Sequence, residues 1–193
     1  MAERLHRGLY RDSGEPFKKH FDNVVGGLVI LEGVKNPYAL SAGYLHDTIE
    51  LKRRRRDTLR GFSHQTRKIV LVLTKKRTES REHYRTRIIN ETPDIIKIKA
   101  NDLRHNTCDL WLSPMTGHLS QDRIQKKLAD VEFYQYCFPK EAPNTWKEIE
   151  MNMQFYERVK KEPKHFKGLF EAGELSPESL LSHPRSEEVA LQV

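Results

Sequence analysis

The chain has 193 residues, of which 37% are hydrophobic and 32% charged. That length holds one domain with a sizeable core and leaves little room for a second, and such a composition fits helices with long solvated faces better than sheet. Lysine and arginine outnumber aspartate and glutamate by 34 to 27, which implies an anionic partner; nucleic acid, a membrane surface and a multiply phosphorylated small molecule all remain open.

Residues 6–17 read as a short helix running into a turn at Ser13-Gly14, with Pro16 acceptable in the first turn of the helix that follows. Phe17, Phe21, Val24, Val25, Leu28 and Leu31 then recur at the spacing of a buried helical stripe. His20 stands beside that stripe, and on local grounds alone it is a hydrogen-bonded histidine at the core edge. Gly26 and Gly27 each cost a helix interior about 1 kcal/mol relative to alanine, which predicts a close approach to the backbone there.

Asn36-Pro37 starts a second helix, and Ala39, Leu40, Ala42, Gly43 and Leu45 predict tight packing along it. It leads into Leu45-His46-Asp47-Thr48-Ile49-Glu50. A neutral imidazole beside a carboxylate suits a divalent ion, but two neighbours span only about 100° of a helix and cannot fill a coordination sphere alone. His20 and Asp102 are the candidates for the remaining positions. An isolated His-Asp pair more often caps, pairs or faces solvent; the order His, His-Asp, Asp on successive predicted helices is far more specific.

Arg53, Arg54, Arg55 and Arg56 follow. Such a run is ordinarily a solvated face, with a phosphate-attracting rim or a nucleic-acid contact as the alternatives. Residues 58–62 predict a short helix, and residues 64–74 a longer one with Ile69, Val72 and Leu73 as its buried side. Residues 78–90 are highly charged and read as an exposed helix or a lid-like connection.

Thr92-Pro93-Asp94 has the composition of a helix start. Beyond it, Ile96, Ala100, Leu103, Leu110 and Trp111 form a core stripe, while Ile98, Asp102, His105, Asn106 and Asp109 share another side. That second side suits the wall of a site and equally a polar solvent face. Ile124, Leu128, Val131, Tyr134 and Phe138 give a further amphipathic helix. Thr145-Trp146-Lys147-Glu148 has capping-box spacing and predicts another, burying Trp146, Ile149, Met153 and Tyr156. Residues 1–172 are therefore read as one domain and residues 173–193, rich in Ser, Pro and Glu, as a poorly packed tail. Cys108 and Cys137 lack metal-ligand or redox spacing. With no run of membrane-spanning length, the expectation is a soluble cytoplasmic protein with reduced thiols.

Three ordered motifs carry a family resemblance over roughly residues 4–135. They are His6-Arg7-Gly8-x-x-Arg11-x-Ser13-Gly14-x-Pro16-Phe17-x-x-His20, then Leu45-His46-Asp47-x-x-Glu50, then the run from Lys97 to Asn106. Together they closely resemble the hydrolase domain of the RelA/SpoT-type family, among the HD-domain metal-dependent phosphohydrolases. In layout the chain is most similar to the small stand-alone alarmone hydrolases, which remove the 3′-pyrophosphate from guanosine tetra- or pentaphosphate. The resemblance implies an all-α bundle of about eight to ten helices. It implies that His20, His46, Asp47 and Asp102 bind one metal ion, usually manganese (Mn2+) in this family, and that Glu50, with Asp47 beside it, handles the attacking water. Arg11 would pack on the nucleobase and Asn106 contact the nucleoside, with Lys99 and His105 joining them in binding the substrate. The implied partner is an anionic purine nucleotide, without a membrane and with nucleic acid not favoured.

The chain departs from the family pattern at Phe21, where the family usually has proline, and at Leu51, where it usually has a second acid. The arginine run also stands where the family tends to be acidic. Two other readings therefore stay open: a phosphatase of a phosphorylated dinucleotide cofactor, and a nucleotide- or nucleic-acid-binding module without catalysis.

Overall fold

The stripe that begins at Phe17 becomes the buried face of helix α1, Phe17–Ile30, with Phe21, Val24, Val25 and Leu28 inside the protein. The computed structural model describes residues 8–11, 13–52 and 56–175, without the side chains of residues 51, 52, 56 and 57. The expectations for Leu51, for the arginine run at 53–56 and for the tail beyond 175 lie outside those described residues and side chains.

Helix α2, Pro37–Leu45, begins where Asn36 accepts a hydrogen bond from the Tyr38 N–H at 3.0 Å. It packs tightly on α1: a Cβ on Gly43 would lie 3.0 Å from Val25 and 3.1 Å from Leu28. The short helix α3, Thr48–Lys52, carries Glu50. Helix α4, His64–Leu73, is capped by Ser63, whose hydroxyl accepts from the Thr66 N–H. Its buried residues are Thr66, Val70 and Leu73, with Ile69 and Val72 only partly buried against the core, so the face is rotated from the one the sequence predicts.

The charged segment 78–90 forms helix α5, Arg81–Ile89, and it is anchored rather than lid-like. Tyr84 and Ile88 are buried, the Tyr84 hydroxyl donates to the Leu73 carbonyl at 2.6 Å, and Arg87 donates to the carbonyls of Val72 and Thr74.

Helix α6, Pro93–Thr107, starts at the predicted position and has Asp94 in its first turn. It is the central element, in contact with α1, α2, α4 and α5 and with two later helices, α8 (Gln121–Cys137) and α9 (Pro143–Lys161). Ile95, Ile96, Ile98, Ala100, Asn101, Asp102, Leu103, Arg104, His105 and Thr107 are all buried, so no side of it is the solvent face that the sequence allowed. It ends before Leu110 and Trp111, which sit on the following 3-10 turn Leu110–Leu112 and join two smaller apolar clusters, not the main core. Helix α7, Ser113–Thr116, precedes α8, and helix α10, Pro163–Glu171, follows α9.

Helix α9 opens two residues before the predicted capping box, and its N-cap makes no side-chain bond. Thr145 is instead buried, with its N–H and its hydroxyl both donating to Glu32 at 2.8 Å. Among the described residues there are eight α-helices of nine residues or more and two shorter ones, with no strand beyond an isolated bridge between Tyr10 and Pro16.

The close approach predicted for the double glycine holds at one position of the two. A Cβ on Gly27 would lie 1.9 Å from Asn101 Oδ1 and 2.8 Å from Arg104 Nη2, whereas Gly26 has nothing within 4 Å. Those side chains form a polar web between α1, α6 and α9. Arg104 donates to Asn101 at 3.2 Å, to Glu148 at 2.8 Å and to the Asn23 carbonyl at 2.6 Å, and Asn101 donates to Thr145 at 3.2 Å. Gly27→Ala is expected to destabilise the protein by about 3 kcal/mol, because the methyl displaces hydrogen-bonded partners instead of filling space. Gly26→Ala should gain up to about 1 kcal/mol from helix propensity. Denaturant unfolding of the two variants checks this, and equal stabilities would contradict it.

Candidate metal centre and cavity

Two helices and the bend between two others bring the four predicted ligands together, the His-Asp pair lying off the helix that the sequence predicts for it. His20 comes from the buried side of α1, His46 and Asp47 from the bend between α2 and α3, and Asp102 from the middle of α6. One ligand atom from each lies within 4.8 Å of the other three. His20 Nε2 is 3.3 Å from His46 Nε2, 3.5 Å from Asp102 Oδ1 and 3.7 Å from Asp47 Oδ2. His46 Nε2 is 3.4 Å from Asp47 Oδ1 and 3.6 Å from Asp102 Oδ1. Two imidazoles and two carboxylates make a mixed donor set suited to a divalent first-row ion.

The candidate ligands are held from behind. His46 Nδ1 donates to the Gly43 carbonyl at 2.8 Å, which turns Nε2 towards the cluster. Asp102 accepts from Lys99 at 2.8 Å through one oxygen and from Asn106 at 2.6 Å through the other. Lys99 is therefore bound to a ligand while it lines the cavity, and it also lies over the Tyr84 ring. Asn106 does the same, with an edge on the cavity and a bond to the ligand.

Two of the predicted substrate-binding residues are not on the cavity wall. His105 is only 2% exposed and stands behind His20, its Nδ1 at 3.0 Å from His20 Nδ1. That placement is of a support for His20. Arg11 has a side chain only 7% exposed, paired with Asp109 at 3.1 Å and directed at His20 Nδ1 at 2.7 Å and Asn106 at 3.4 Å. Arg11, in the segment that leads into α1, is thus pinned under the site, in a pairing that spans 98 positions of sequence.

The cavity encloses about 530 Å³, with His46, Asp47, Asp102 and Glu50 on its wall. Glu50 accepts from the Lys75 N–H. Lys75, Arg81 and Lys126 add positive charge to the wall, with Glu79 and Asp130 between them. Arg81 is oriented by two bonds to Asp130. None of Lys75, Arg81 and Lys126 stands out in the sequence, because each lies in a charged stretch; the bonds of Arg81 to Asp130 and to the Lys126 carbonyl place two of them, and the bond of the Lys75 N–H to Glu50 places the third.

The electrostatics follow from burial and from the two carboxylates. Burial disfavours a charged Asp102, but Lys99 and His46 outweigh it and hold that carboxyl well below the usual range. Burial, and Asp102 close by, push Asp47 up. Burial also works against a charged His46, yet Asp47 and Asp102 raise it to about 9; His20, buried and facing His46, is pushed well below the usual histidine range. Desolvation at the wall and the charge of Asp47 raise Glu50, the direction that a proton acceptor near neutral pH needs.

Burial, with Arg11, pushes His105 down to about 3. The folded state then keeps it neutral, while the unfolded chain takes up a proton below about pH 6.5. Stability present above that pH is lost as the pH falls towards 3, by about 1.4 kcal/mol per pH unit from this residue. Denaturant unfolding in chelator between about pH 7 and about pH 4 should show a shallower loss for His105→Gln than for the wild type. Equal slopes would contradict the burial of a neutral imidazole.

The described residues form an all-α bundle with a candidate metal centre between its helices. No known protein-family profile matches the chain. A solved structure does: it is described as a metazoan ortholog of SpoT that hydrolyzes ppGpp and plays a role in starvation responses. The two share 18% sequence identity with a TM-score of 0.65, over 82% of this chain and 92% of that one. The shared property is the fold. Among the described residues no helix is long and apolar enough to cross a membrane.

Proposed function

We propose that the protein is a metal-dependent phosphohydrolase of the alarmone-hydrolase type, acting in the cytoplasm on guanosine tetra- or pentaphosphate or a related purine nucleotide. The observation that carries this reading is the convergence of His20, His46, Asp47 and Asp102 within 4.8 Å, on a cavity wall that also holds Glu50. A bound divalent ion, manganese by the family resemblance, supplies Lewis acidity for a phosphoryl oxygen and lowers the pKa of water.

The residues of the chain do the rest. Glu50 takes the proton of the attacking water. Water adds to the phosphorus on the 3′ oxygen, that P–O bond breaks, and the 3′ oxygen leaves with the proton that Glu50 took from the water, as pyrophosphate is released. Lys99 and Asn106 keep Asp102 aimed at the centre. Lys75, Arg81 and Lys126 offer charge-assisted hydrogen bonds to the remaining phosphates. Arg11 takes the nucleobase once its guanidinium turns from His20 towards the ligand, since a flat guanidinium stacks well on a purine.

The test is product analysis with manganese and guanosine tetraphosphate, beside a 2′-phosphorylated dinucleotide as competitor substrate. Guanosine diphosphate and pyrophosphate are expected. Turnover of the dinucleotide alone would overturn the substrate assignment, and no turnover with manganese bound would overturn the hydrolase reading.

A further inference from the structure

Behind the metal centre stand groups that hydrolysis itself does not use. His20 Nδ1, on the edge of the ring away from the other ligands, has two neighbours: Arg11 Nη1 at 2.7 Å and His105 Nδ1 at 3.0 Å. His105 Nε2 in turn lies 3.7 Å from Glu15 Oε2. His20 and His105 are 1% and 2% exposed, so water does not substitute for these partners.

A guanidinium can only donate, whereas a neutral imidazole donates from one nitrogen and accepts at the other. Arg11 therefore bonds to His20 only when Nδ1 is unprotonated. The single ring proton is then on Nε2, directed at the carboxylates of Asp47 and Asp102, towards which His46 also turns its Nε2. A ring in that form has no lone pair for a metal at Nε2. The opposite form has its proton on Nδ1, donating to His105 Nδ1, while His105 keeps its own proton on Nε2, towards Glu15. Only that form frees Nε2 to ligate, and in it Arg11 and His20 are two donors face to face.

We propose that Arg11 and His105 select between the two tautomers of His20, Arg11 holding the form that cannot bind a metal and His105 the form that can. The inference rests on the metal-centre reading. Loading the centre then detaches one arm of Arg11, which keeps its bonds to Asp109 and Asn106 and presents the freed arm to the ligand. Metal and substrate binding are thereby linked, each favouring the release of Arg11 from His20.

The test uses the full chain and two readouts. Long-range 1H–15N spectra of the metal-free wild type should place the His20 proton on Nε2. In the Arg11→Met, Asp109→Asn double variant, which removes a buried charge together with its countercharge, the proton should move to Nδ1. Calorimetric titration with manganese should show the double variant binding several-fold more tightly than the wild type, by loss of the competing tautomer. His105→Phe should bind at least about tenfold more weakly, the range usual for partners of metal-bound histidines. His105→Gln, whose carbonyl accepts in the same place, should recover most of that loss, which a purely structural role would not produce.

A metal-free proton already on Nδ1, or a double variant that binds no more tightly, would overturn the selector. A wild type that binds no manganese while the proton still moves in the double variant would overturn the metal centre and uphold the Arg11 side of the proposal.

Discussion

Glu50→Gln is expected to lose about 10²- to 10⁴-fold in turnover while its affinity for manganese stays within a few-fold of the wild type. Glutamine keeps the size of the side chain and an oxygen for the Lys75 N–H, so the link between α3 and the end of α4 survives. What it lacks is the ability to take a proton. Glu50 is not among the four clustered ligands, which is why rate and metal affinity should separate. Rate and affinity measured on one preparation decide the matter. Full turnover would remove Glu50 from the chemistry, and joint loss of rate and metal would make it a ligand.

Asp102→Ala should abolish manganese binding and also destabilise the metal-free protein by about 3 kcal/mol, since breaking a buried pair leaves its partner uncompensated. The carboxylate has two separate duties. Oδ1 faces both histidine nitrogens, and Oδ2 neutralises Lys99, whose side chain is 14% exposed. Lys99→Met added to Asp102→Ala removes the stranded charge, so it should restore most of the stability and none of the metal binding. Chemical unfolding in chelator, with manganese titration of the same proteins, checks both parts. Restored metal binding in the double variant would show that Asp102 is no ligand.

The elements most legible in the sequence were those fixed by local rules. The apolar stripe of α1 and the Thr92-Pro93-Asp94 start of α6 each act over a turn or two of helix, and the adjacent His46-Asp47 pair is plain from neighbouring positions although it lies in the bend between α2 and α3. The candidate ligand set needed the order of motifs, because His20 alone looks like a core histidine and is in fact 1% exposed. What stayed hidden depends on partners far along the chain. Thr145 satisfies the spacing of a capping box but spends its donors on Glu32, 113 positions away. Tyr84 sits in a segment so charged that its burial under α4 leaves no trace in periodicity. Asn101 and Arg104 are polar positions on a helix buried all round, and only Gly27, by making room for them, betrays that something approaches; that it is polar shows only in the structure. Arg11 has the opposite history: its motif is plain, but its pairing with Asp109 and His20 was not.

The most direct measurement is anomalous diffraction from crystals soaked in manganese. The account predicts one peak enclosed by His20 Nε2, His46 Nε2 and the carboxylates of Asp47 and Asp102, about 2.0–2.3 Å from its ligands. A peak elsewhere, or none with the four side chains unchanged, would contradict it.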